Sequence, residues 1–208
     1  MTASAIPAAR RRYQRCKRAA DVILVLLVGP LVLPVALLCV LAVRLDSPGP
    51  ILFVQERTGR DGRRFRMLKF RTMVRDAEER KASIAHLNVL PPPDFKVMED
   101  PRITRVGRLL RRTSLDELPQ LINVLKGDMT LVGPRPTSFS ADQYSLWHST
   151  RLEVTPGITG LWQVKARNES SFDERLRLDI QYIRGMSPWL DLKILWWTVA
   201  AVVRRSGV

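Results

Sequence analysis

Asp116 and Glu117 stand side by side in Thr113-Ser114-Leu115-Asp116-Glu117-Leu118-Pro119-Gln120-Leu121. Just before them arginines recur every three residues at Arg102, Arg105, Arg108 and Arg111, with Arg112 beside the last. A carboxylate pair next to several guanidiniums can present a nucleophile, hold a hard cation and neutralise a diphosphate in one place. The same letters also fit a capping box from Ser114 to Glu117, in which the two acids only offset a helix dipole. Pro119 argues against that simpler reading: proline is tolerated only in the first helical turn, so an unkinked helix starts at Asp116 or later. Asp116 is then expected at or next to the N-cap, partly exposed, near free backbone N–H groups that also welcome phosphate. Val132-Gly133-Pro134-Arg135-Pro136 fixes an arginine between two prolines, which suits a bidentate phosphate grip or, alternatively, a structural loop. Pro156 to Val164, with Arg167 just after, reads as a turn feeding a short strand and alone carries no function.

Several elements must carry these residues. From Val22 to Val43 the chain has no charge, long enough as a helix to cross about 30 Å of hydrocarbon. Gly29-Pro30 and Pro34 sit inside this run, and a break or sharp bend near residues 29–34 is expected. Both flanks are basic: six Arg or Lys and no acid lie in the first 18 residues, and Arg57 to Arg75 is basic again. A straight crossing would expose one basic group to the far side, whereas a hairpin returning at Gly29-Pro30 keeps both inside. The hairpin is the preferred reading, a single straight span the alternative.

Beyond the turn cluster Ser47-Pro48-Gly49-Pro50, strands are expected at Ile51–Val54 and Phe65–Met73, separated by the Asp61-Gly62 turn. Residues 75–100 begin as a charged helical run and end in Pro91-Pro92-Pro93. Helical spacing returns at Ile103–Arg112 and Leu118–Leu125, where Gly127 supplies a stop. Ser171 with Glu174 signs the start of a helix carrying Phe172, Leu176, Ile180 and Ile183. Ser187-Pro188 starts another over Trp189–Val203, apolar nearly all round. It suits either the headgroup region, with Trp189, Trp196 and Trp197, or a buried core.

Composition narrows the classes. The 208 residues carry 34 Lys and Arg against 20 Asp and Glu, net +14, with 46% hydrophobic, which excludes a disordered basic tail. Two cysteines, Cys16 and Cys39, cannot build a disulfide framework or a cysteine zinc site, and the folded part is read as facing a reducing compartment. His86 and His148 alone give no histidine metal cluster or Ser-His-Asp triad. The chain has no GxGxxG, P-loop or Asp-x-Asp motif.

Together, Lys17-Arg18-Ala19-Ala20-Asp21, the apolar segment, Lys69-Phe70-Arg71-Thr72-Met73, Thr113–Leu121, Gly127-Asp128-Met129, Gly133–Pro136, Pro156–Val164 and Asp191-Leu192-Lys193 resemble the bacterial sugar transferase family, the monotopic phosphoglycosyl transferases. The resemblance covers nearly the whole chain and is closest to the minimal, core-only form. It implies an α-rich, mixed α/β fold: residues 1–46 as a basic N-terminus and re-entrant helix-break-helix in the membrane, and residues 47–208 as a cytoplasmic catalytic domain with amphipathic interfacial helices. It implies that Asp116 is the nucleophile and Mg2+ ligand, that Glu117 is its partner, and that Arg111, Arg135, Arg167, Lys69 and Arg71 bind substrate. The implied reaction moves a sugar 1-phosphate from a UDP-sugar to polyprenol (undecaprenyl) phosphate, releasing UMP through an aspartyl phosphosugar. This would occur at the bacterial inner membrane, at the start of exopolysaccharide, lipopolysaccharide or other surface-glycan assembly. Ala166 stands where the family often has Gly, and Pro91–Pro93 is a local variant.

Anionic membrane lipid is an expected partner and nucleic acid is not. The identity of the sugar, the glycan made and any homo-oligomer stay open at this point. Two rivals remain. A basic nucleic-acid-binding protein explains the charge but not the apolar run or the acidic pair. A non-catalytic membrane adaptor explains the anchor and the basic surface.

Overall fold

A computed structural model describes residues 8–89, 95, 97–139, 148–166 and 172–203. The chain is mixed α/β and rich in helix. Its elements are α1 (Ala8–Asp46), β1 (Leu52–Thr58), β2 (Arg64–Phe70), α2 (Arg105–Thr113), α3 (Gln120–Lys126), β3 (Thr130–Val132), β4 (Gly157–Thr159), α4 (Leu161–Lys165), α5 (Phe172–Arg184) and α6 (Pro188–Val203).

The helix is not interrupted in the apolar segment, where a break or sharp bend is expected. α1 is one 39-residue helix that runs through Pro30 and Pro34. A proline deletes its own donor and crowds one turn, but the hydrogen bonds on either side need not end with it. Packing on α1 is confined to its two halves. Asp21 and Val25 are buried, as are Cys39 and Val43, while no residue from 26 to 38 is. Val25 joins a core cluster with Met67, Val124 and Met129, and Cys39 and Val43 join another with Phe70 and Leu110.

β1 and β2 form an antiparallel hairpin that pairs Leu52 with Phe70 and Thr58 with Arg64. Asp61 and Gly62 turn it at φ 56° and 76°, as the Asp-Gly signal predicted. β1 runs on past Val54 to Thr58, and β2 stops at Phe70, leaving Met73 in an isolated bridge to Ile103. The charged run after residue 75 is a 3-10 stretch, Glu79–Leu87, rather than an α-helix, and it buries only Ile84. Pro91–Pro93 lie outside the described residues.

β3 and β4 pair in parallel, Thr130 with Gly157 and Val132 with Thr159. The segment from Pro156 departs from the expected order, because strand comes first and Leu161–Lys165 is helical. Its glycines explain the contact: a Cβ on Gly157 would lie 2.1 Å from the Gly133 nitrogen, and one on Gly160 2.3 Å from the Gly133 oxygen. Only bare backbone lets these two loops touch.

α5 buries Leu176, Asp179, Tyr182 and Ile183, with Ile180 partly covered. Its expected cap, Ser171, lies outside the described residues. α6 starts as predicted, with Ser187 Oγ accepting from the Leu190 N–H at 3.2 Å. It buries Ile194 completely but leaves Trp189, Leu192, Trp196 and Val199 exposed, so it is not a helix wrapped in core. The exposed positions recur at three and four residues and form one apolar stripe.

Candidate active site

The Asp-Glu pair lies where α2 hands the chain to α3. Gly107 lets α2 press on the end of the β2 segment, since a Cβ there would sit 2.1 Å from the Thr72 oxygen. Thr104 caps the helix, its side chain accepting from the Gly107 N–H at 3.0 Å. Ser114 ends it in the left-handed conformation, φ 57°. One 3-10 turn follows, Leu115–Glu117, and α3 begins only at Gln120 with Pro119 as its N-cap. Asp116 is therefore four residues ahead of α3 rather than at its N-cap. The left-handed Ser114 separates this turn from α2, while Leu118 and Pro119 keep helical φ and ψ, so the backbone winds on into α3 around a proline that has no N–H to donate. The capping-box reading fails as well, because Ser114 makes no side-chain cap bond and the Glu117 carboxylate points elsewhere.

Glu117 Oε1 accepts from Lys69 Nζ at 2.9 Å and from Arg135 Nη2 at 2.6 Å. Burial alone would raise its carboxyl, but Arg135 and Lys69 outweigh that and hold it far below the usual range. Burial in turn pulls Lys69 down, against the attraction of Glu117. Asp116 is 8% exposed and makes no hydrogen bond or ion pair among the described residues. Burial pushes its carboxyl above the ordinary aspartate value, opposed by Lys69, Arg111 and Arg135. One acid of the dyad is engaged through Oε1; the other makes no such bond among the described residues.

Among the predicted site residues, the structure brings Lys69, Arg135, Asp116 and Glu117 together, with Arg111 close enough for its charge to be felt at Asp116. Arg111 is also fixed by Nε donating to Thr72 Oγ1 at 2.9 Å. Arg71 is not part of this group. It turns toward the end of α1, where Nη2 donates to the Ser47 carbonyl at 2.6 Å and to Ser47 Oγ at 2.9 Å. Arg167 lies outside the described residues. The three-residue arginine ladder also disperses, because a step of three falls about 60° short of a full helical turn. Arg102, before α2, is buried on Asp100 at 2.7 Å; Arg105 and Arg108 face outward.

Two supports went unread in the sequence. Thr72 steadies Arg111, and the buried pair Arg151–Asp179, 2.8 Å apart, braces the Arg135 loop. Nothing in the spacing of residues so far apart could have signalled the second.

The donor set fits a hard divalent cation. Asp116 offers two carboxylate oxygens and Glu117 its second, and Mg2+ commonly takes one or two protein carboxylates with water and phosphate completing the shell. No cluster of three or more His, Cys, Asp or Glu occurs among the described residues, so no all-protein cage is found there.

A helix long and apolar enough to cross a membrane and a buried carboxylate–guanidinium centre define the class of this mixed α/β chain. The chain belongs to the bacterial sugar transferase family, whose model matches residues 12–205. It is 48% identical over 177 residues to a galactosyl transferase, CpsE, of Streptococcus agalactiae serotype III (strain NEM316), a match covering 83% of this chain and 39% of that protein. It is 41% identical over 204 residues to an undecaprenyl-phosphate galactose phosphotransferase of Salmonella typhimurium, covering 96% and 43%. It is also 41% identical over 200 residues to a UDP-glucose:undecaprenyl-phosphate glucose-1-phosphate transferase of Caulobacter vibrioides, covering 92% and 71%. The chain thus spans about two fifths of the length of the first two of these relatives.

Proposed function

We propose that this chain transfers a sugar 1-phosphate from a UDP-sugar to polyprenol phosphate, undecaprenyl phosphate in the bacterial inner membrane, at the start of surface-glycan assembly. The names of its relatives support the substrate classes. The observation that carries the mechanism is the unequal treatment of two adjacent acids: Glu117 is spent on Lys69 and Arg135, while Asp116 keeps its oxygens unpaired.

In the first step an Asp116 carboxylate oxygen attacks the β-phosphorus of the UDP-sugar. The bond from that phosphorus to the bridging oxygen breaks, and its electron pair leaves with UMP. In the second step a phosphate oxygen of polyprenol phosphate attacks the same phosphorus, and the carboxylate of Asp116 is regenerated. Splitting the transfer this way removes the need to hold both substrates at once. Arg135 and Arg111 orient the diphosphate and meet charge as it develops, and Lys69 keeps Glu117 and Arg135 in register. Mg2+, bound by Asp116 with Glu117 beside it, would supply further neutralisation of the phosphate oxygens.

The same reading places both ends of α1 on the cytoplasmic side. Val25 and Val43 belong to clusters anchored on Met67 and Phe70 of β2, three residues and about 10 Å apart along one strand. A straight crossing would put about 30 Å of hydrocarbon between such contacts. A bend in the bare, proline-bearing middle reconciles them and satisfies the positive-inside rule at both flanks. The α6 stripe of Trp189, Leu192, Trp196 and Val199 then lies at the headgroup level, where anionic lipid meets the basic surface.

The decisive experiment omits the acceptor. Enzyme with UDP-sugar and Mg2+ should release about one UMP per site and carry a sugar phosphate on the peptide containing Asp116. Asp116→Asn should lose both signals and stay in the membrane fraction. UMP appearing only after acceptor is added would refute the covalent route.

A further inference from the structure

Arg135 reaches Glu117 from a loop, and that loop has few bonds of its own. Pro134 and Pro136 contribute no N–H. Gly133 N–H donates to the Thr159 carbonyl at 2.8 Å, and the Pro134 carbonyl accepts from Gly157 N–H at 2.9 Å. The carbonyl of Arg135 itself is taken by a side chain. Arg151, in the 3-10 turn His148–Glu153, donates to it from Nη2 at 2.6 Å, and the same nitrogen donates to Asp179 Oδ2 at 2.8 Å.

As a stabiliser this pair is poorly made. Arg151 is 7% exposed and Asp179 1%, and two charges so far from water lose in hydration much of what they gain from each other. Asp179 Oδ1 is buried with no hydrogen-bond partner. Burial pushes the Asp179 carboxyl up to about 7 in spite of Arg151 and Arg175. A costly, half-satisfied ion pair is better explained by what it holds than by stability.

We propose that Arg151, anchored by Asp179 of α5, is a positioning residue that sets the Arg135 backbone so that its guanidinium meets Glu117 and the substrate phosphate. This rests on the function proposed above for its link to turnover. Asp179 locks the guanidinium of Arg151, Arg151 pins the Arg135 carbonyl, and the two flanking prolines transmit that placement to the side chain. An error of about 1 Å at such a contact can cost on the order of 100-fold in rate.

Turnover and thermal stability of the full chain in nanodiscs test this with Arg151→Gln, Asp179→Asn and the two combined, each also in an Arg135→Ala background. Arg151→Gln should lower kcat/KM by about 10- to 100-fold, and Asp179→Asn by less, because Arg151 keeps its bond to the carbonyl. The combined variant no longer strands a buried carboxylate, so it should regain stability lost in Arg151→Gln yet remain as slow. In the Arg135→Ala background, Arg151→Gln should cost little more, the signature of two residues acting through one contact. Turnover that returns together with stability, or a full further loss on top of Arg135→Ala, overturns the assignment. If the wild type releases UMP from no UDP-sugar, the proposed reaction fails instead. The positioning claim is then read from amide exchange of the peptide spanning residues 130–139. That peptide should exchange several-fold faster in Arg151→Gln and in the combined variant; unchanged exchange overturns it.

Discussion

Of the two acids of the dyad, only Glu117 should lower stability when it is neutralised. Glu117→Gln leaves Lys69 and Arg135 without a counter-charge at Oε1, where the bonds are 2.9 and 2.6 Å. Breaking a fully buried pair costs about 3–5 kcal/mol. Here the side chains are 18% exposed for Lys69 and Glu117 and 31% for Arg135, so water recovers part of this and about 2–3 kcal/mol remains. At roughly 2–4 °C per kcal/mol for a chain of this size, Tm should fall by about 4–12 °C. Asp116 carries the opposite sign. Its folded pKa is raised, so the folded state binds the proton more tightly and stability drains away as pH rises through the window above the ordinary aspartate value. At neutral pH its charge is a net cost, and Asp116→Asn should leave Tm unchanged or raise it. Glu117, with a depressed pKa, contributes stability that is present above about pH 4.5 and is lost only well into acid. The gap between wild type and Glu117→Gln should therefore persist from pH 8 to 5. Tryptophan fluorescence during heating, at one scan rate and in one detergent, reads all three proteins. A drop for Asp116→Asn as large as that for Glu117→Gln would refute the reasoning.

Two further outcomes are expected. Arg135→Lys should impair turnover although charge is kept, because an ammonium cannot reproduce a planar fork against phosphate; wild-type kinetics would return Arg135 to a structural role. Cys16 is exposed on the N-terminal part of α1, so in intact cells it should resist a membrane-impermeant thiol reagent and react after permeabilisation, and Pro30→Leu with Pro34→Leu should make it reactive from outside. Labelling of wild-type Cys16 in intact cells would sink the hairpin.

The parts of this fold that could be read from sequence are those written in local chemistry. Gly127 caps α3 at φ 91°, Ser187-Pro188 opens α6, and Asp61-Gly62 turns the hairpin, each because one residue type meets one backbone need. The acidic pair was legible for the same reason, through its adjacency and the proline that follows. What escaped depended on partners distant in the chain. Asp116 lies in a separate 3-10 turn after the left-handed Ser114 rather than at the N-cap of α3, and α4 reads as strand in the sequence because its five residues show no helical period. The resemblance groups Arg71 with the substrate ligands, whereas the structure turns its Nη2 to Ser47, 24 residues earlier.

The environments of Asp116 and Glu117 differ more than their adjacency suggests, and that difference has a structural origin. In a 3-10 turn, successive side chains point about 120° apart, so one carboxylate takes the hydrogen bonds of Lys69 and Arg135 while its neighbour feels only their charge. Glu117 thereby fixes the turn with charge-assisted bonds, and the turn holds Asp116 in a place it would not choose by itself, with its charge desolvated and its oxygens unbonded. That condition suits the proposed role of Asp116 as nucleophile, since each hydrogen bond to a carboxylate lowers its reactivity and each layer of water must be stripped before attack. The stability contributed at Glu117 offsets the cost at Asp116, so adjacency lets one acid anchor the turn that holds the other.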